Sequence, residues 1–181
     1  MTYPVWVDEE WIDVPVPEMS GEPLVVPNVG AIVLSEDRSS ILLQRRDKPW
    51  EPVRGKLEVP GGRWGAGESP EVAVAREVRE ETGIELIELV TGTGRVDITT
   101  NRSCGFVHPV AVVVGLEGTY PSLHVLIECV GSGDPVALPG ETADPRWWPI
   151  EEVQQALDEN PGQFVDQTRA MLTVYLARRD G

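Results

Sequence analysis

An α/β domain is predicted by three observations. The first two thirds of the chain alternate short apolar, β-branched runs with Gly, Pro and Asp breaks; one well-capped helix interrupts them; and the last third changes to helical periodicity. Residues 1–27 are rich in Pro and acid and read as an arm or short edge hairpin, because Pro is kept out of central strands. The domain proper is read over 28–181, with its C-terminal helices from about 150. "NVGAIVLS" (28–35) and "SILLQRR" (40–46) flank the polar turn "EDRSS" and read as a hairpin. "DKPWEPVRG" is a loop and "KLEVP" a short strand that ends at a glycine pair. "IELIELVTGTG", "HPVAVVVGLEG" and "LHVLIECVG" read as further strands. In "PIEEVQQALDE", Ile150, Val153 and Leu157 share a face; in "QFVDQTRAMLTVYLARR", Phe164, Thr168, Met171, Leu172 and Tyr175 do so.

Composition narrows the function. A chain of 181 residues can hold one domain with a real core, and 41% hydrophobic with 25% charged residues is ordinary for a globular protein. Thirty Asp and Glu against fifteen Lys and Arg give a formal charge of −15. Long nucleic acid and anionic membranes are bound through excess positive charge, so neither is an expected partner. A small phosphorylated molecule fits if a cation stands between it and the acidic protein. Residues 1–14 have no signal-peptide pattern, no apolar run approaches the length of a membrane span, and a cytoplasmic protein is expected. Cys104 and Cys129 lie in apolar runs and read as small buried hydrophobes.

The segment "GGRWGAGESPEVAVAREVREETGI" (61–84) carries the chemistry. Ser69 is a good N-cap, Pro70 suits the first helical position, and Gly83 supplies a left-handed stop, which predicts a helix from Pro70 to Thr82. Glu77, Glu80 and Glu81 then fall on one side, while Val74 and Val78 form a separate apolar stripe. Arg76 lies one turn before Glu80, where it can orient that carboxylate. Gly61, Gly62, Gly65 and Gly67 form a loop that approaches something closely, and Glu68 closes it. Like charges gathered this densely repel one another; carboxylates with an accessible carbonyl make an oxygen-only site suited to Mg²⁺ or Mn²⁺ rather than zinc.

These residues match a known pattern. Gly62, five residues, Glu68, seven residues, then Arg76, Glu77, Val78, Arg79, Glu80, Glu81, Thr82, Gly83 and Ile84 resemble the Nudix box at every fixed position. "ILLQRR", "KLEVPGG" and "ETADPRWWPIEEV" resemble the strands and helix that surround that box, so the likeness covers roughly 28–160. The resemblance implies an α/β/α sandwich with a mixed sheet and hydrolysis of a nucleoside diphosphate linked to another moiety. Nucleoside triphosphates come first as substrates, with nucleotide sugars or ADP-ribose behind them. It implies that Glu77, Glu80 and Glu81 bind divalent cation, that the Gly62 carbonyl joins them, and that Glu68 supports the loop through Arg76. Glu77 and Glu141 are the candidate general bases. Many members are homodimers whose N-terminal segments touch the partner, which the arm over 1–27 fits. A ligand-binding or regulatory domain without turnover is the alternative; such members commonly lack box glutamates, which this chain keeps.

Three further residues carry two readings each. Arg46, at the end of an inner strand, reads as a phosphate contact or as a surface arginine. Trp50 and Trp64 read as platforms for a base, or as loop tryptophans folded onto the protein. His108 and His124 read as packing or hydrogen-bonding residues, and Trp147 and Trp148 as core.

Overall fold

Two strands without a single charged residue over most of their length explain the centre of the molecule. In the computed structural model, which describes residues 2–7, 10–15, 17–49, 51–99, 102–115 and 121–179, "VPNVGAIVL" and "SLHVLIECVGS" pair in parallel, Val29 beside Val125 and Val33 beside Cys129. In chain order the strands are β1 (Thr2–Val7), β2 (Glu10–Pro15), β3 (Glu18–Met19), β4 (Glu22–Pro23), β5 (Val26–Leu34), β6 (Ser40–Arg46), β7 (Leu57–Glu58) and β8 (Gly61–Arg63). Helix α1 (Pro70–Thr82) follows, then β9 (Glu85–Leu89), β10 (Thr93–Thr99), β11 (Arg102–Val107), β12 (Ala111–Gly115), β13 (Ser122–Ser132) and β14 (Thr142–Pro149). Helices α2 (Ile150–Glu159) and α3 (Asp166–Arg179) end the chain.

The main sheet runs β12-β13-β5-β6-β14, with β7 on β6, β8 on β5 and β9 on β13. Only β13 and β5 are parallel, so the sheet is mixed. Strand alternation sends successive side chains to opposite faces, and here both faces are covered. Val29, Ala31, Val33, Leu42, Val125, Ile127 and Cys129 meet Ala73, Val74 and Val78 of α1. Ile32, Leu34, Ile41, Leu43, Leu126 and Val130 meet Val153 of α2, Phe164, and Met171, Leu172, Tyr175 and Leu176 of α3. The result is the α/β/α sandwich expected of the sequence. Each fully buried aliphatic or aromatic side chain contributes about 1.5–3 kcal/mol.

Helix α1 begins and ends as its caps dictate. The Ser69 hydroxyl accepts from the Val72 N–H at 3.5 Å, Pro70 opens the first turn, and Gly83, at φ 68°, donates its N–H to Arg79 O at 2.9 Å. Gly83 can hold that left-handed angle because it has no Cβ.

Several expectations need correction. Within 1–27, β1 pairs with β2 and β3 with β4 as separate two-stranded sheets, while Val26 and Pro27 already lie in β5 of the main sheet. "IELIELVTGTG" divides between β9 and the start of β10, and β10 pairs with β11 in a ribbon of its own. That ribbon was unread because Arg95, Val96, Asp97, Ile98 and Thr99 are all exposed, which removes the apolar alternation that marks a strand. Cys104 sits on this ribbon and is exposed, against the expectation; Cys129, on β13, is buried in the core that faces α1, as read. Trp147 and Trp148 pack at the rims of the two cores, and Arg146 lies 4.2 Å above the Trp148 ring. His124 is bonded to Ser122 at 3.2 Å, whereas His108 is exposed.

Candidate functional site

The site is assembled where the β7–β8 turn meets the C-terminal half of α1. Gly61 and Gly62 run antiparallel to Gly30 and Val29 of β5. This brings the loop backbone against α1 so closely that a Cβ on Gly62 would lie 2.7 Å from the Glu77 carboxyl carbon. A side chain at this position would displace the carboxylate, which is the physical reason for glycine here.

Arg76 organises the exposed half of the cluster. Its Nε and Nη2 donate to Glu68 Oε1 and Oε2 at 2.8 and 3.0 Å, a two-pronged pair, while Nη1 donates to Glu77 Oε1 at 2.7 Å and to Glu80 Oε2 at 3.1 Å. Nη2 also donates to the Arg63 carbonyl at 3.1 Å, which ties the helix to the glycine loop. Glu68 in turn accepts from the Gly65 N–H at 2.9 Å. Arg76 and then the Gly65 N–H hold the Glu68 carboxyl down at about 2. Bidentate, charge-assisted geometry of this kind fixes orientation as well as adding attraction.

The inner half is drier. Glu81 is 5% exposed and accepts from Gln44 Nε2 at 2.8 Å and from the Gly61 N–H at 2.9 Å, both on Oε2. Burial, and next the charge of Glu58, pushes the Glu81 carboxyl up to about 8. Burial also raises Glu77, opposed by Arg76 and reinforced by the charges of Glu80 and Glu141. Glu141, distant in sequence, therefore acts on the same cluster; Lys48 Nζ lies 3.5 Å from its Oε2. Glu80 is the most exposed of the set, at 49% of its side chain.

The donors are all oxygen, and the proton affinity of Glu77 and Glu81 is raised first by burial and then by the neighbouring negative charges. That chemistry fits a hard divalent cation. Among the described residues no three acidic, His or Cys side chains form a ready-made metal cage.

The substrate-contact candidates fare differently. Arg46, read as a phosphate contact or a surface arginine, has its guanidinium engaged by Glu51 and by Glu58, the latter at 3.0 Å. Trp64 packs against the α1-side core and donates its Nε1–H to Glu68 O at 3.1 Å, a tryptophan folded onto the protein rather than offered to a ring. Trp50 lies outside the described residues.

Three residues escaped the sequence reading: Gln44, Glu58 and Lys48. Glu58 is 7% exposed, bonded to Arg46, and held above its usual range by burial. The one available signal was an acid inside the apolar strand "KLEVP", where a charge is expensive unless paired.

A family model described as NUDIX domain matches residues 25–168. A protein of Mycobacterium tuberculosis named putative 8-oxo-dGTP diphosphatase 2 is 41% identical over 63 residues, 35% of this chain and 42% of that protein. A MutT-like protein of Streptomyces ambofaciens is 38% identical over 76 residues, 41% of this chain and 46% of that protein. The chain thus spans less than half the length of these curated relatives. The crystal structure of MutT protein from Methanosarcina mazei Go1 superposes with a TM-score of 0.64 at 20% identity, over 87% of this chain and 96% of that one, a likeness of fold.

Proposed function

Because this chain belongs to the NUDIX family, we propose that it is a metal-dependent pyrophosphohydrolase that cleaves a nucleoside diphosphate linked to another moiety, with nucleoside triphosphates as the first substrate class. The observation that carries the reading is the convergence of Glu68, Glu77 and Glu80 on one guanidinium beside the Gly61–Gly62 turn, with buried Glu81 behind them. A merely solvated acidic face has no reason to tie three carboxylates to one Arg and press a fourth against a backbone N–H. The names of the curated relatives, a diphosphatase of 8-oxo-dGTP and a MutT-like protein, support the triphosphate preference.

In this reading Glu77, Glu80, Glu81 and the Gly62 carbonyl hold Mg²⁺ or Mn²⁺. Held there, such a cation would supply neutralisation of the diphosphate oxygens and a lowered pKa for the attacking water. Arg76 keeps Glu77 and Glu80 turned to one side, and its pairing with Glu68 and the Arg63 carbonyl fixes the loop that presents Gly62. Glu77, whose carboxyl burial pushes up, is suited to accept the water's proton, since a base works best when its pKa approaches the working pH; Glu141, whose charge reaches Glu77, is the other candidate base. The retention of every box carboxylate favours turnover over a purely ligand-sensing domain.

Release of phosphate and pyrophosphate from a panel of nucleoside triphosphates, dinucleotides and nucleotide sugars, with Mg²⁺ or Mn²⁺, tests the proposal beside a Glu80→Gln control. One class should turn over, and the control should lose activity by orders of magnitude. Near-normal activity of Glu80→Gln removes the proposed metal site; silence across the panel with ligand-induced thermal stabilisation replaces the enzyme by a binding domain.

A further inference from the structure

Gln44 lies in β6 with no exposed surface, on the α1 side of the sheet, and two buried carboxylates face its amide. Nε2 is 2.8 Å from Glu81 Oε2 and 3.5 Å from Glu58 Oε1. A carboxamide nitrogen has two protons, so a single group can serve both acids. Its Oε1 is buried and has no hydrogen-bond partner among the described residues. An unpartnered buried carbonyl costs stability, and an apolar side chain of similar volume would avoid that cost. Core packing therefore does not account for an amide at this position.

Other polar residues would fail for different reasons. A carboxylate would add a third buried anion beside Glu58 and Glu81, and a lysine would neutralise Glu81 permanently and compete with a divalent cation for it. A neutral double donor orients two acids and leaves their charge in place. Both hydrogen bonds received by Glu81 fall on Oε2, from Gln44 and from the Gly61 N–H, and among the described residues none is donated to Oε1. Two donors on one oxygen fix the plane of the carboxylate and leave the other oxygen's lone pairs unused by the protein.

We infer that Gln44 is a positioning residue for the cation site: it pins Glu81 through Oε2, so that Oε1 is the oxygen available to the metal, and bridges Glu81 to Glu58. The inference rests on the reading of Glu81 as a metal ligand. It assigns the residue before "RR" in "ILLQRR" a role distinct from that of Arg46, whose partners are Glu51 and Glu58.

Mn²⁺ alone is the probe. Titrating Mn²⁺ into wild type, Gln44→Met and Gln44→Asn, with free Mn²⁺ read by electron paramagnetic resonance, should show affinity weakened by about 10- to 100-fold in both variants, as is typical when an outer partner of a metal ligand is lost. Gln44→Met keeps the length without the amide, and Gln44→Asn keeps the amide one methylene short. The kcat on the substrate that wild type hydrolyses should fall in step, with KM changed less than kcat. Wild-type Mn²⁺ affinity in a folded Gln44→Met protein overturns the inference and leaves the hydrolase reading intact. A wild type that neither binds Mn²⁺ nor turns over substrate overturns that reading and the inference with it. Should both variants fail to fold, the side-chain NH₂ resonances of Gln44 in wild type decide: they should shift on addition of Mg²⁺, and unmoved resonances overturn the inference.

Discussion

Helices α1 and α2 are both acidic, yet their acids live in opposite conditions. Glu151, Glu152, Asp158 and Glu159 of α2 all point to solvent, and the polar contacts recorded for them are Gln154 to Asp158 and Gln155 to Glu159, one turn apart on the same surface. On α1, Glu77 and Glu81 are withdrawn from water and gripped: Glu77 by its neighbour Arg76, which is itself tied to Glu68 and the Arg63 carbonyl, and Glu81 by Gln44 and the Gly61 N–H from other segments. The contrast teaches that a count of carboxylates does not make a site. Desolvation raises the cost of the charge, and fixed donors give it a direction.

The sharpest way to break this contrast is to remove the grip. Arg76→Met keeps much of the stem but frees Glu68, Glu77 and Glu80; turnover should fall by about 100-fold or more, as for misplaced catalytic groups, while α1 stays helical by circular dichroism. Unchanged kcat/KM would reduce Arg76 to a surface ion pair. The next largest effect is on stability against pH. A carboxyl raised to about 8 in the fold, from about 4.3 in the unfolded chain, binds more protons folded than unfolded between those values. Stability of the metal-free protein should therefore fall as pH rises through that window, by up to about 1.4 kcal/mol per pH unit from this group. Thermal unfolding from pH 5 to 8 checks it: the slope should flatten in Glu81→Gln and on adding Mg²⁺, and an equal slope in Glu81→Gln would assign it elsewhere.

Smaller changes sharpen the comparison from its edges. Gly83→Val forces a β-branched residue into φ 68° at the end of α1 and should cost about 1–3 kcal/mol, read as a lowered Tm; an unchanged Tm would contradict the cap. Glu152→Gln, on exposed α2, should leave both activity and Tm unaltered within about 0.5 kcal/mol. A large loss there would erase the distinction between the two helices.

What the sequence disclosed follows the range of the interactions involved. The Ser69 cap, the Gly83 stop and the Arg76 to Glu80 pair are contacts within a few residues, so their spacing is written in the chain. The covered faces of β5 and β13 were legible because apolar runs without alternation require burial on both sides. Gln44 and Glu58 were not, since their meaning comes from partners on other segments: Gln44 reaches Glu81 from β6, and Glu58 reaches Arg46 across the β6–β7 pair. Lys48 meets Glu141 from a distant loop in the same way. The β10–β11 ribbon escaped because exposure on both sides leaves no pattern to detect, and Cys104 was misread with it.

The parallel pairing of β5 with β13 bears on how the chain reaches this state. Val26 lies beside Ser122 and Leu34 beside Val130, so the centre of the sheet joins a strand made early in synthesis to one made late. Pairings of such separation must meet the loop-closure entropy before any contact rewards it, and they slow folding. By contrast, the glycine turn and α1, which hold the carboxylate cluster, are neighbours in sequence. On the ribosome the acidic helix and its turn emerge long before the sheet that will bury them can close. During that interval Glu81 has water around it and none of its later cost. The groups that enclose Glu81, Gln44 of β6 and the Gly61 turn, are much nearer to it in sequence than β5 is to β13, so the site closes through shorter loops than the centre of the sheet does.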